Sequence, residues 1–283
     1  MSLFSFFFFC YAIVMNNLFL FFHSFSPNSL LVNFGFIKIY WYGLLMAIAM
    51  LSAWWILILV ARRLSWPKEW PTDIAWWAII GGLIGARLYY VILEWPYYIA
   101  TPLDALKVWQ GGLAIHGAWL GGSLALFFWA RKKIAWPVLL GALTPSLALG
   151  QTIGRWGNYF NQELFGQPTN LPWGIPIAEN LRPLGFSNFS YFQPMFLYES
   201  LLNLLVFIGL WWWFRSGKPD ERKVPKMLMV YLFAYGLIRF TMEFWRLDEV
   251  PVVLGWRWPQ LFSLVLMVAI IGWYLYRRLA KKV

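Results

Sequence analysis

Long apolar stretches separated by short polar connections recur along the chain, and they limit its fold more than any other feature. Each approaches the roughly 20 residues that an α-helix needs to cross the hydrocarbon core of a bilayer. With 61% hydrophobic and 12% charged residues, the chain has too few polar side chains to cover a water-soluble globule. The sequence therefore predicts an all-α integral membrane protein with about seven transmembrane helices plus an N-terminal hydrophobic extension. The predicted spans lie near residues 40–60, 74–94, 113–130, 137–153, 194–214, 226–246 and 258–276.

A Phe-rich segment precedes the first predicted span. It lacks the basic N-terminal region and the small-residue cleavage site of a secretory signal peptide. We interpret residues 1–33 as a hydrophobic extension, of which residues 1–23 are either an extra membrane anchor or a misassigned start. The remaining residues, 34–283, are predicted to form one seven-helix transmembrane domain without an internal repeat.

The composition argues against several other classes of protein. Cys10 is the only cysteine, and His23 and His116 are the only histidines, so the sequence offers no cluster typical of a zinc or iron–sulfur site. We expect no metal and no other cofactor. The formal net charge of +11 comes from basic residues between apolar runs, which is typical of membrane topology. Membrane lipids, and no nucleic acid, are therefore the expected partners.

The basic residues concentrate in alternate loops, and short basic loops stay on the cytoplasmic side of a membrane. The C-terminus is therefore predicted to be cytoplasmic, and the chain to enter its first span from outside. Fifteen of the 23 lysines and arginines share the predicted cytoplasmic side: Arg62, Arg63, Lys68, Arg131, Lys132, Lys133, Arg215, Lys218, Arg222, Lys223, Lys226, Arg277, Arg278, Lys281 and Lys282.

Several polar or ionisable side chains within the spans share one predicted depth. A charged side chain inside a bilayer costs roughly 2.5–3.5 kcal/mol on insertion scales, so each one needs a partner, a water-filled cavity or a function. With the predicted orientation all of them fall in the outer half of the membrane, which favours one shared polar site. They are Tyr42, Arg87, His116, Arg155, Arg239 and Glu243.

Structural roles are open alternatives for part of this set. Tyr235, Arg239, Glu243 and Arg246 have the spacing of one helical stripe, which suits either a functional site or Arg–Glu bridges that tie helices together. A single buried arginine such as Arg87 often pins neighbouring helix ends or carbonyl groups.

His116 lies in the glycine-rich segment GGLAIHGAWLGG. Its small residues predict close packing of backbones and a groove beside the imidazole. Histidine is the natural proton acceptor near neutral pH, although a lone histidine is often only structural.

The densest polar string is GRWGNYFNQELFG at residues 154–166. Its arginine, amide and carboxylate groups suit a phosphate-bearing head group, and a re-entrant loop with satisfied amides is the alternative. The string resembles the signature of the bacterial prolipoprotein diacylglyceryl transferases, G-R-x-G-N-x-x-N-x-E-L-x-G, at every fixed position. The resemblance extends from about Phe34 over nearly the whole chain and includes Trp41–Leu44, His116–Gly117, Leu197–Glu199 and Tyr235–Phe244.

The resemblance implies an enzyme that transfers the sn-1,2-diacylglyceryl group from phosphatidylglycerol to the lipobox cysteine thiol of a preprolipoprotein. The reaction forms a thioether and releases glycerol phosphate, as the first step of bacterial lipoprotein maturation. Membership implies a multi-pass protein of the bacterial plasma (inner) membrane whose active site faces the outer leaflet. The implied partners are phosphatidylglycerol and preprolipoprotein signal peptides, and residues 34–283 would be the transferase domain.

The resemblance also implies residue roles. Arg155 and Arg239 match the family's essential arginines and are expected to hold the departing phosphate. His116 is the first candidate for the proton acceptor, with Tyr235 or the positive field of the arginines as substitutes. The positions that match Tyr42, His116, Asn158, Glu163, Gly166 and Glu243 are also functionally important in the family. Apart from His116, these are expected to bind the substrate, together with Arg87 and Tyr235 from the polar residues within the predicted spans.

Three positions depart from the family pattern. Ala118 replaces a common glycine, Gln193 a common histidine and Gly141 a common aspartate, so the last two family positions are expected to be supporting ones. A transporter or flippase for an anionic lipid would also place arginines among helices, but its usual internal repeats and paired broken helices are not found. A noncatalytic scaffold gives no reason to gather the polar string at one depth.

Overall fold

A computed structural model describes residues 20, 22–35, 38–217 and 222–280. Most of the predicted N-terminal extension, residues 1–19, lies outside the described residues. In the described residues, the long helices follow the apolar stretches predicted from the sequence. Their bounds are α1 Trp41–Arg63, α2 Trp70–Leu93, the short α3 Trp95–Ala100, α4 Ile115–Ala130, α5 Trp136–Phe160, α6 Met195–Arg215, α7 Val224–Met242 and α8 Trp258–Leu279.

Trp-Pro pairs start four of these helices. Pro71, Pro96, Pro137 and Pro259 stand in the first turns of α2, α3, α5 and α8. Amide groups of a first turn have no acceptor within the helix, so a proline there removes no hydrogen bond. The same residues therefore end the preceding connection and open the next helix.

Of the helices in the described residues, five are long and apolar enough to cross a membrane: α1, α2, α6, α7 and α8. The apolar helix α4 has only 16 residues. The longer α5 has 25 residues, but it contains Pro145 and carries Gln151, Arg155 and Asn158 in its second half. The structure thus confirms a mostly helical protein with several apolar helices of membrane-spanning length.

The helices contribute to two compact units. The first unit comprises Met1–Ala53, Leu147–Trp212 and Met229–Val283, and the second comprises Trp54–Ser146 and Trp213–Leu228. Helices α1, α5, α6 and α7 supply residues to both. The prediction that residues 34–283 form one domain stays a prediction.

Glycines bring α2 and α4 together within the second unit. A Cβ atom at Gly85 would overlap the carbonyl oxygen of Gly117 and lie 2.7 Å from the Cα of Gly121, and one at Gly81 would lie 2.8 Å from the Gly121 oxygen. The backbones therefore touch, as small residues allow between membrane helices. The close packing predicted for the segment around His116 is confirmed.

Gly141 marks another close approach in the second unit. A Cβ atom at this position would overlap the carbonyl oxygen of Val224 and come within 2.8 Å of its side chain. The packing of α5 on the start of α7 thus leaves no room for an aspartate at position 141. This explains the departure from the family pattern in steric terms.

An aromatic core lies in the first unit, around the end of α5. Phe22, only 4% exposed, contacts Trp156, Tyr159 and Phe196 with ring centroids 5.8–6.3 Å apart. Phe22 is thus part of a folded core. Although it lies in the segment interpreted as an extension, it packs against the helix that carries the signature string.

Three two-stranded antiparallel sheets complete the first unit. Strand β1 (Leu30–Asn33) pairs with β2 (Lys38–Tyr40), β3 (Ile175–Pro176) with β4 (Tyr191–Phe192), and β5 (Val252–Val253) with β6 (Trp256–Arg257). The last hairpin leads directly from the end of α7 into α8. It therefore places Arg257 beside the residues that follow Met242.

Candidate active site

The signature string forms the end of α5 and the turn after it. The helix ends at Phe160, and the chain then bends through Gln162 and Leu164, whose φ angles are 52° and 57°. The left-handed region is unfavourable for such residues, so the surroundings must hold the turn in place. The Gln162 side chain does so, because it donates to the Pro27 carbonyl at 2.7 Å and accepts from the Ala178 amide at 2.7 Å.

Asn158, in the last turn of α5, connects the helix to the loop that follows it. Its side chain, in a residue only 8% exposed, donates to Glu163 at 2.8 Å, and its oxygen lies 3.5 Å from an Arg155 nitrogen. Glu163 is exposed and is connected to Arg155 through Asn158. The two predicted binding residues therefore lie beside the predicted catalytic arginine.

Tyr42 and Gly166 lie against the same string. A Cβ atom on Gly157 would come within 2.7 Å of the Tyr42 ring, so the ring packs on the backbone of α5. Gly166 is buried, pairs as an isolated β-bridge with Arg246, and has Met195 where a side chain would extend. Its lack of a side chain allows the segment after the turn to approach Arg246 and α6.

Glu199 on α6 is the centre of a buried group of ion pairs. The residue is 1% exposed, yet its carboxylate faces arginines from three parts of the chain. Its Oε2 lies 2.6 Å from Arg155, and its Oε1 lies 3.1 Å from Arg246 and 3.7 Å from Arg239. Burial of a carboxylate is costly without such partners. Here several guanidinium groups share the single carboxylate of Glu199.

Glu243, at the end of α7, is a second buried carboxylate. It pairs with Arg239 at 3.1 Å and with Arg257 at 2.8 Å, and its side chain has no exposed surface. Arg246 lies 3.9 Å away. Arg239 therefore lies between two carboxylates, Glu199 and Glu243.

Asp248 holds Arg246 with two hydrogen bonds, at 2.7 and 3.1 Å. Burial raises the pKa of the Asp248 carboxyl, but the hydrogen bonds and the charge of Arg246 outweigh it, so this pKa lies below its ordinary value. Arg257 donates to the Asp248 backbone carbonyl at 2.6 Å and so braces the same turn.

The ion-paired group carries a positive excess. It contains the arginines 155, 239, 246 and 257 and, among the described residues, the three carboxylates Glu199, Glu243 and Asp248. One positive charge is left over, so the group can accept one further negative charge. A pocket of about 510 Å³, lined in part by Glu243, Arg246, Trp256 and Arg257, opens beside it.

The predicted stripe on α7 is only partly correct. Tyr235 and Arg239 lie on the helix, and the amide of Glu243 still bonds to the Arg239 carbonyl at 3.2 Å. The helix ends at Met242, so Arg246 reaches the cluster through a turn and not as the next residue along a helical face. The bridge to Gly166 explains why the chain leaves the helix there.

Arg87 belongs to the second unit and is 7% exposed. Its five N–H donors face backbone carbonyls, and its guanidinium carbon lies 5.3 Å from the centre of the Tyr98 ring. This arrangement favours the pinning role, and binding of substrate by Arg87 stays a prediction. The acceptors are the carbonyl groups of Asp104, Ala105, Lys107, Gly111 and Gly112.

His116 also belongs to the second unit. It is exposed in the first turn of α4, and its ring centroid lies 6.1 Å from that of Tyr89. An exposed imidazole is accessible to a reacting group, but its role as proton acceptor stays a prediction.

Three members of the ion-paired group, Glu199, Asp248 and Arg257, were not assigned from the sequence. Glu199 lies in the segment that carries the family resemblance, but no role followed from it, and Asp248 and Arg257 lie between the last two predicted spans. A glutamate inside an apolar span is itself a signal, because an unpaired one would be too costly there. In the described ranges, no group of three histidine, cysteine or acidic residues could hold a metal ion.

The fold and the site together define a helical membrane protein with arginines gathered around two buried carboxylates. The family model described as prolipoprotein diacylglyceryl transferase matches residues 29–276. A phosphatidylglycerol–prolipoprotein diacylglyceryl transferase of Synechococcus elongatus is 45% identical over 245 residues, which is 85% of this chain and 84% of that protein. One of Thermosynechococcus vestitus is 42% identical over 255 residues, 89% of this chain and 92% of that protein. The chain belongs to the prolipoprotein diacylglyceryl transferase family.

Proposed function

We propose that the protein transfers the diacylglyceryl group of phosphatidylglycerol to the lipobox cysteine of preprolipoproteins. Membership of the family and the names of the relatives support this reaction. The observation that carries it at the site is the ion-paired arginine group with one unmatched positive charge, which suits the single negative charge of a phosphodiester.

The bond changes fix what the site must do. The thiolate sulfur attacks the glyceryl carbon that bears the phosphate, a C–S bond forms, and the C–O bond to phosphate breaks. Glycerol phosphate leaves with the electrons of that bond and gains negative charge. Protein groups lower the barrier when they bind the developing charge of the transition state more strongly than they bind the substrate.

Arg155 and Arg239 are the proposed ligands of the phosphate. Both are partly accessible, with side chains 20% and 16% exposed, whereas Arg246 is 4% exposed and held by Asp248. A guanidinium remains charged at any physiological pH and offers two parallel donors to phosphate oxygens. Asn158, with Tyr42 beside Gly157, is proposed to bind oxygens of the head group.

The thiol must lose its proton, since a free cysteine has a pKa near 8.5 and only the thiolate is a good nucleophile. His116 remains the proposed acceptor of this proton. Tyr235, one helical turn before Arg239, and the positive field of the arginines are the alternatives.

We further propose that all seven long helices cross the bacterial plasma membrane and that the arginine group faces its outer leaflet. The basic residues of alternate loops support this orientation. Phosphatidylglycerol would then enter from the membrane, and a preprolipoprotein would present its signal peptide on the same side.

The test uses purified protein in liposomes with a lipobox peptide and no energy source. We expect a thioether-linked diacylglyceryl peptide with phosphatidylglycerol and none when phosphatidylethanolamine is the only lipid. Glycerol phosphate should appear in equal amount. Movement of lipid between leaflets without peptide modification would instead indicate a flippase and overturn the proposal.

A further inference from the structure

Glu199 reaches the guanidinium groups of three arginines, on α5, on α7 and in the turn after α7. It belongs to α6, so it lies on none of the elements whose arginines it contacts. We propose that Glu199 is a positioning residue for the transfer reaction: it fixes Arg155, and more weakly Arg239, where both can grip one phosphate. The inference rests on the proposed function.

The two arginines depend on Glu199 to different degrees. Arg155 lies 2.6 Å from Glu199 and, within the described part of the chain, has no other ion-pair partner. Arg239 lies 3.7 Å from Glu199 and 3.1 Å from Glu243, so it keeps a carboxylate when Glu199 is lost. Removal of the Glu199 charge should therefore release Arg155 first.

The placement of Glu199 separates positioning from substrate contact. Its side chain is 2% exposed, against 20% for Arg155 and 16% for Arg239, so the arginines offer surface to a ligand while Glu199 lies behind them. Loss of one buried partner frees a long side chain to adopt other rotamers, and small displacements of a catalytic group are costly in rate.

Neutralisation of the arginine charges alone does not account for the position of Glu199 beside Arg155. Glu243 and Asp248 already supply two negative charges to Arg239, Arg246 and Arg257. Glu199 adds the contact that extends from these residues to Arg155 on α5. It thereby connects the signature string to the rest of the arginine group.

The experiment compares Glu199→Gln and Glu199→Asp with wild type in the liposome assay, with kcat, KM for phosphatidylglycerol and apparent Tm measured for each. Glu199→Gln keeps the shape and removes the charge, and we expect kcat to fall at least tenfold. Glu199→Asp keeps the charge but withdraws the carboxylate from Arg155, so we expect a preserved fold and a smaller loss of kcat.

A double-mutant cycle identifies the partner. If Glu199 acts through Arg155, the rate lost on Arg155→Lys should be smaller in the Glu199→Gln background than in wild type. In that background Arg155 has already lost its anchor, so its replacement by lysine has less activity left to remove. The loss on Arg239→Lys should change less. Independent, multiplicative losses for the Glu199 and Arg155 pair would overturn the proposal.

Asn203→Ala is the matched control on α6. Asn203 is 3% exposed, lies one turn after Glu199 and donates to its backbone carbonyl at 2.8 Å, and among the described residues it has no hydrogen bond to an arginine. We expect a lower Tm with kcat within about threefold of wild type, a small change on the rate scale. Full activity of Glu199→Asp beside an unfolded Glu199→Gln would make Glu199 purely structural. Failure of wild type to form the thioether would instead refute the proposed function.

Discussion

At the scale of single residues, Arg239 shows how one contact permits two roles. Its ion pair with Glu243 is the bridge expected of a residue that ties the end of α7 together, yet its side chain retains accessible surface. A brace needs only a positive charge near Glu243. A phosphate ligand also needs the planar fork of the guanidinium.

Arg239→Lys separates these roles. Lysine keeps the charge and can still bridge Glu243, but it offers a single ammonium group in place of two parallel donors. We expect the lipidation rate to fall at least about tenfold, or 1.4 kcal/mol in the barrier, with little change in Tm. Arg239→Ala should lower both the lipidation rate and the Tm, because it removes one partner of the buried Glu243 carboxylate. Full activity of the lysine variant would leave Arg155 as the phosphate ligand.

The Asp248–Arg246 pair predicts that the stability of the fold depends on pH. The pKa of Asp248 is lower in the folded protein than its ordinary value of 3.8, so the pair stabilises the fold fully above that pH and loses its effect as the pH falls through the folded pKa. We expect Asp248→Asn to lower the apparent Tm by similar amounts at pH 7 and pH 5. The gap to wild type should narrow only below 3.8. A gap that already closes between pH 7 and pH 5 would contradict this.

The sequence identified part of the site and missed part of it for a physical reason. Arg155, Arg239 and Glu243 attracted attention because charge inside an apolar span is costly. Arg257 did not, because it precedes α8 in what reads as an ordinary loop. Its contact with Glu243 depends on the hairpin of β5 and β6, a fold that no local pattern predicted.

At the scale of elements, apolar length predicted where the long helices lie, and polar requirements set where they end. Helix α5 continues to Phe160, beyond its apolar stretch, because its last turns face Glu199 and the aromatic core. Helix α7 ends at Met242, earlier than hydropathy suggests, because the chain turns to pair Arg246 with Gly166. Hydropathy cannot report such tertiary contacts.

The glycines of α2 give a prediction with an internal control. Gly85→Ala places a methyl group against the Gly117 carbonyl and the Gly121 Cα atom, so α2 and α4 must separate. Overpacking of this kind costs about 1–3 kcal/mol, and we expect the apparent Tm to fall by several degrees. Gly82→Ala meets only the Ala118 carbonyl oxygen at 3.6 Å, an ordinary contact, and should leave Tm unchanged or raise it. Equal effects of both variants would argue against the close helix contact.

At the scale of the whole molecule, the proposed reaction depends on which face of the membrane the arginine group meets. The predicted orientation follows from the 23 lysines and arginines and their concentration in alternate loops. Loop side chains exposed in the structure allow a direct test. Leu184, between α5 and α6, is 99% exposed, and Lys68, between α1 and α2, is also exposed.

Leu184→Cys and Lys68→Cys, each made with Cys10→Ser so that it carries a single thiol, should differ in labelling by a membrane-impermeant maleimide. We expect the cysteine at position 184 to react in intact spheroplasts and the one at position 68 only after lysis, because the loop after α1 is basic and should be cytoplasmic. An alkaline phosphatase fused after Val283 should be inactive for the same reason. Lipidation activity of both variants confirms that they fold. Reversed labelling with an active fusion would place the arginine group at the inner leaflet, where it could not meet a signal peptide presented from outside.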